Sequence, residues 1–95
     1  MTEFLLRQFN LILGAIEDYR NDDLSLYRLI GILEGLGNAI DDDTLNGGVF
    51  ETAWDLERIN SELIDKKRLA SPFEHEKILS SLERLEVIIK GMKSA

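Results

Sequence analysis

Apolar residues recur along this chain at alternating spacings of three and four, in separate runs divided by polar segments. Leu5, Phe9, Ile12, Ile16 and Tyr19 form the first run, and Leu26, Leu29, Ile30, Leu33, Leu36 and Ile40 the second. Val49, Ala53, Leu56, Asn60 and Leu63 follow, then Ile78, Leu82, Leu85, Ile89 and Met92. That spacing keeps each run on one face of an α-helix, whereas a half-buried strand would alternate every second residue. The pattern predicts helices over 2–19, 24–40, 49–67 and 72–91. The second and third make a helical hairpin, and one amphipathic helix on either side completes an all-α, antiparallel four-helix bundle in a single domain, 1–95.

Polar punctuation supports these boundaries. Thr2 is placed to cap the first helix, and either an Asp of the Arg20–Asp23 break or Ser25 to cap the second. Ser71, Pro72 and Glu74 read as a capping box with proline in the first turn, starting the fourth helix at Pro72. Gly31, Gly35 and Gly37 each cost about 1 kcal/mol relative to Ala inside a helix, so something should offset them. Gly31 and Gly35 lie one turn apart, which suggests close approach of another helix on that side. Gly37 and Asn38 both tolerate a left-handed cap and offer an end to the helix. The alternative, continuation to Ile40, completes the apolar stripe and is preferred. Asp41–Gly48, with its acids and its Asn46-Gly47-Gly48 sequence, reads as a flexible connection.

Composition narrows the function more than the fold. The chain has 95 residues and no cysteine, so packing and not disulfides or thiolate metal sites must hold it together. No stretch approaches the roughly 18 apolar residues of a membrane span, and the N-terminus lacks a basic leader with an uninterrupted apolar core. A cytoplasmic location is expected. The net charge of -7 disfavours nucleic acid and anionic membranes and favours a basic protein partner. Met1–Asp65 carries 14 acids and four bases, whereas Lys66–Ala95 carries four acids and seven bases. Much of the acidity follows one track: Glu51, Asp55, Arg58, Glu62 and Asp65 are spaced by four, three, four and three, opposite the core stripe of the third helix. Trp54 is expected at the edge between stripe and core. With Asp41, Asp42 and Asp43 of the connection, these residues make the candidate partner-binding set: Asp41, Asp42, Asp43, Glu51, Trp54, Asp55, Arg58 and Glu62. A charge run on a helix is most often only a solvated face, and that is the competing reading.

Other chemistries find no constellation. Asp42-x-Thr44-x-Asn46-Gly47-x-Val49 imitates the first half of a calcium loop, but Ala53 stands where the closing bidentate carboxylate is required. His75-Glu76 lacks the second histidine of a zinc helix. The carboxylates of Glu57, Glu62, Glu83 and Glu86 have no partner that would tune one as acid against another as base. Ser61, Ser80 and Ser81 have only the solitary His75 for a relay. The glycines sit in a helical pattern, not in a phosphate-cradling loop. The reading is a non-enzyme without cofactor or metal.

The run Leu24-Ser25-Leu26-Tyr27-Arg28-Leu29-Ile30-Gly31-Ile32-Leu33-Glu34-Gly35-Leu36, followed after an acidic gap by Ala53-Trp54-Asp55-Leu56-Glu57 and Ile59-Asn60-Ser61, resembles small helical immunity proteins of bacterial contact-dependent inhibition and other polymorphic toxin systems. The resemblance implies binding to a cognate toxin domain and occlusion of its active site or substrate path. Such toxins are often nucleases, whose basic surfaces suit an acidic inhibitor. The nuclease immunity proteins of colicins are likewise acidic four-helix bundles, but their paired-tyrosine recognition segment is absent here, so that similarity is architectural. The alternative is a helical adaptor acting as a homodimer, with Tyr27, Leu45, Phe73, Leu79 and Val87, which lie off the core stripes, as its interface.

Overall fold

The computed structural model of the chain describes residues 2–94. Its elements are α1 (Glu3–Arg20), α2 (Leu26–Asn38), α3 (Asp43–Lys66) and α4 (Pro72–Ser94), an all-α four-helix bundle without strands among the described residues. Each helix packs beside two others in the cyclic order α1, α2, α3, α4 and back to α1; α2–α3 is the most extensive contact and α1–α4 the least. Residue numbers descend in α4 as they ascend in its neighbours. Asn10 meets Lys93 and Arg20 meets Glu86 on one side, while Gly48 meets Ile88 and Asp55 meets Arg84 on the other. The body measures 43 × 21 × 20 Å.

The period-3.6 stripes point inward as their spacing requires. Phe9, Ile12, Ile16, Leu29, Leu33, Leu56, Ile78, Leu82, Leu85 and Ile89 are fully buried, and Leu5, Tyr19, Leu36 and Met92 close the rim. Burying a Leu, Ile or Phe side chain contributes about 1.5–3 kcal/mol, so this layer, repeated on all four helices, supplies the cohesion that a cysteine-free chain needs. Arg20 stitches the α1–α4 edge through a two-pronged bridge to Glu86, with Nη1–Oε2 at 2.9 Å and Nη2–Oε1 at 2.5 Å.

The helix ends explain how the chain turns. Thr2 Oγ1 accepts from Leu5 N at 3.1 Å and Ser25 Oγ from Arg28 N at 3.2 Å, so Ser25 and not an Asp caps α2. Helices α1 and α3 end in the same six-to-one turn: Asp23 N donates to Asp18 O at 2.8 Å, and Arg68 N to Leu63 O at 3.1 Å. The pivots, Asp22 (φ 61°) and Lys67 (φ 51°), are left-handed residues without being glycine. The capping box forms as its sequence predicts: Glu74 N donates to Ser71 Oγ at 3.2 Å, and Ser71 N to Glu74 Oε1 at 3.0 Å. Arg68 then grips the same carboxylate at 2.5 and 2.9 Å. These charge-assisted bonds, first to Arg68 and then to Ser71, hold the Glu74 carboxyl down at about 2, from an ordinary 4.5.

Several expectations are corrected. Helix three does not start at Val49 but at Asp43, because Asp42 Oδ1 accepts from Leu45 N at 2.9 Å and winds the presumed connection into helix. Asn46, expected in a turn, instead sends its Nδ2 to the carbonyls of Gly37 (2.8 Å) and Ile40 (3.3 Å), satisfying the end of α2 from the start of α3. Helix two stops at Asn38, short of Ile40, yet Ile40 remains 4% exposed because the loop carries it into the core. Leu45, expected on an outer interface, is fully buried, since the earlier helix start turns it inward. The glycines expected to admit a neighbouring helix are also different ones. A Cβ on Gly31 or Gly35 would have no neighbour within 4 Å. At Gly37 it would lie 3.1 Å from Val49 Cγ1 and 3.2 Å from Phe50 Cζ, and at Gly48 3.0 Å from Ile88 Cδ1. Close approach is therefore made at Gly37 and Gly48.

Candidate functional site: the outer face of the α2–α3 hairpin

From Leu24 to Glu57 the chain carries seven acids (Glu34, Asp41, Asp42, Asp43, Glu51, Asp55, Glu57) and one base, Arg28. The hairpin sorts these groups into different tasks. Asp42 is half-buried and committed to capping α3, while Asp41, Asp43 and Glu51 are exposed at the tip and first turns. Asp43 stands in the first turn of α3, where the exposed backbone amides favour negative charge.

Asp55 and Glu62 of the expected acidic stripe are answered by the chain's own cations. Asp55, with 22% of its side chain exposed, pairs with Arg58 one turn on and with Arg84 of α4 at 3.5 Å. Glu62 pairs with Lys66 at 2.9 Å and with Arg68 at 3.8 Å. Asp55, Arg58 and Glu62 line one wall of an α3–α4 groove of about 610 Å³, opposite Phe73, Lys77 and Arg84. This groove is of mixed charge, and Lys77 Nζ covers the Phe73 ring at 4.7 Å from its centroid. The eight candidate residues therefore divide: Asp41, Asp43 and Trp54 present themselves outward, Glu51 is exposed at the rim of an α3–α4 crevice, Asp42 caps, and Asp55, Arg58 and Glu62 turn toward α4.

Trp54 does not lie at the edge of the core. It is 62% exposed on the outer side of α3 and stacks on Phe50, with centroids 6.1 Å apart and planes at 28°. Phe50 is half-buried and lies against Gly37 of α2, where the missing side chain leaves room for its ring. An i, i+4 aromatic pair thus holds the indole against a fixed base while its face stays in water.

A second outward feature escaped the sequence reading. Tyr27, Arg28, Gly31 and Glu34 of α2 and Glu57 of α3 enclose a groove of about 400 Å³ on the same side of the molecule as the α2–α3 contact. Tyr27 is 74% exposed. Its signal was available: Tyr27, Gly31 and Glu34 are spaced by four and three on the side of α2 opposite the core stripe.

The apolar residues considered for a homodimer do not gather. Leu45 is buried, Tyr27 lies on α2, and Phe73, half-buried Leu79 and Val87 lie on α4, which sits diagonally across the bundle from α2. No described helix is long and apolar enough to cross a membrane. Comparison with protein-family models, with curated proteins and with solved structures gives no match to this chain.

Proposed function

We propose that the protein is an immunity-type inhibitor that binds a basic toxin domain through the outer face of the α2–α3 hairpin and blocks its active site or substrate path. The observation that carries this reading is Trp54: a large aromatic side chain held in solvent by Phe50, within a segment of seven acids and one base. Exposed tryptophans at fixed positions are efficient interface anchors, because they bury much apolar area while losing little conformational freedom. The surrounding carboxylates would raise the association rate with a basic surface. The resemblance of Leu24–Ser61 to immunity proteins supports the same class of partner, and a nuclease surface built to hold phosphates would be complementary in charge.

The working residues in this reading are Asp41, Asp43 and Glu51 for steering and Trp54 for anchoring. Asp55 and Glu62 contribute less, since Arg58, Arg84, Lys66 and Arg68 already neutralise them. Co-expression with the toxin encoded in the adjacent gene tests the proposal. Wild-type protein should protect cells, Trp54→Ala should lose protection, and the triple neutralisation Asp41→Asn, Asp43→Asn, Glu51→Gln should slow association and flatten its salt dependence. Absence of such a gene, or full protection by Trp54→Ala combined with the triple change, would defeat the reading.

A further inference from the structure

We propose that the groove between Tyr27, Gly31 and Glu34 of α2 and Glu57 of α3 is a docking slot for an arginine-bearing helical segment of the partner; this rests on the reading of the hairpin as the partner-binding face.

The first support is an unexplained cost. Gly31 sits inside α2, where any other residue but proline would favour the helix more, and a Cβ there would meet nothing within 4 Å. Gly37 and Gly48 are glycine because Val49, Phe50 and Ile88 occupy the space of their side chains; no group of this chain occupies the space over Gly31. Gly14 of α1 and Gly35 of α2 are equally open, so the gap at Gly31 is set apart by what surrounds it and not by its openness. The second support is what surrounds the gap. Tyr27 stands one turn before Gly31 with 74% of its surface in water, and Glu34 of α2 and Glu57 of α3 line the same groove. Neither carboxylate is engaged in an ion pair among the described residues, unlike Asp55, Glu62, Glu74 and Glu86. An aromatic face beside two free carboxylates is complementary to a guanidinium, which stacks on the first and donates in fork geometry to the second.

The slot also has polarity. Arg28 lines it too, as the single cation of Leu24–Glu57, adjacent to Tyr27 and away from Glu34. An incoming helix is therefore accepted with its arginine toward Glu34 and with a neutral or acidic residue toward Arg28. A volume of about 400 Å³ over a residue without a side chain accommodates one long side chain and the adjacent helix backbone, not a whole small domain.

The probe is an acetylated, amidated helical peptide of three Ala-Ala-Ala-Ala-Arg repeats, with the glutamate version as control. Binding at low salt is followed by amide-resolved nuclear magnetic resonance titration and by the fluorescence of Trp54, the single tryptophan. The arginine peptide should bind saturably and shift the amides of Tyr27, Gly31, Glu34 and Glu57, and the glutamate peptide should not. Glu34→Gln with Glu57→Gln should weaken binding about tenfold or more, and Arg28→Glu should tighten it. Gly31→Leu should abolish it while keeping the helical circular dichroism and melting no lower than wild type. Shifts centred instead on Asp41, Asp43 and Glu51, equal affinity in the double glutamine variant, or no saturable binding would each overturn the slot. The co-expression assay is independent: loss of toxin protection with the peptide still in the slot would remove the toxin reading and leave the slot standing.

Discussion

Substituting alanine at Gly31 and at Gly37 should change stability in opposite directions, although both glycines lie in α2 six residues apart in sequence. Gly31 is an exposed helix-interior position with open space where the methyl would go, so Gly31→Ala should recover most of the propensity difference, about 1 kcal/mol. For a domain of this size that corresponds to a rise in Tm of roughly 4–8 °C. At Gly37 the methyl would arrive 3.1 Å from Val49 Cγ1 and 3.2 and 3.3 Å from two atoms of Phe50. Val49 is fully buried and stiff about χ1, and Phe50 is held by Trp54, so neither yields easily. Overpacking of this kind costs about 1–3 kcal/mol, while the propensity gain one residue from the helix end is small, leaving a net loss of about 1 kcal/mol or more. Thermal and urea unfolding of both variants, followed by far-ultraviolet circular dichroism with a two-state fit, measures the difference. Stabilisation by Gly37→Ala would show that α2 and α3 do not meet there; destabilisation by Gly31→Ala would show that the groove is filled by the chain itself.

Leu33→Ala and Leu82→Ala, both at fully buried positions, should each cost about 2–5 kcal/mol in urea unfolding, and a loss below about 0.5 kcal/mol would place that residue on the surface. Asn46→Ala should cost about 1–3 kcal/mol, because the Ile40 carbonyl loses its side-chain donor and the Gly37 carbonyl keeps only Ile40 N at 3.2 Å; no change would mean that water replaces the amide freely. Lys67→Gly should stabilise by about 1 kcal/mol by relieving a left-handed lysine. Glu74 titrates lower in the folded chain than in the unfolded, so its contribution is complete above the ordinary value of 4.5 and is lost as pH falls toward about 2. Wild type should therefore lose more Tm than Glu74→Gln across that acid range, and parallel curves would contradict the bridge to Arg68.

The helical periodicity made the core legible because burial follows spacing directly: Phe9, Ile12, Leu33, Leu56, Leu82 and Ile89 are all where their runs place them. The capping box at Ser71 was legible for the same local reason. What was not legible depended on partners distant in sequence. Asn46-Gly47-Gly48 has turn composition, yet Asn46 is recruited by the carbonyls of α2 and Gly48 by Ile88 of α4, and together with buried Leu45 they outweigh local preference. The acidic stripe had the same difficulty. Its spacing on α3, including the Asp55–Arg58 neighbours, was legible, but Arg84 comes from another helix and only the fold brings it to Asp55 as a second cation. Trp54 was displaced from edge to outer face because tryptophan is usually drawn inward, and here Phe50 takes the inner place at the gap left by Gly37.

Hydrogen–deuterium exchange of the protein alone and with a basic toxin domain of the kind proposed as its partner addresses the central claim most directly, since it maps the contact surface without mutation. Slowed exchange should be concentrated in α2 and in the first half of α3, across Tyr27 to Glu34 and Asp43 to Glu57, with the outer face of α4 around Glu83, Val87 and Lys90 unchanged. Protection confined to α1 and α4, with the α2–α3 hairpin exchanging as in the free protein, would contradict the account.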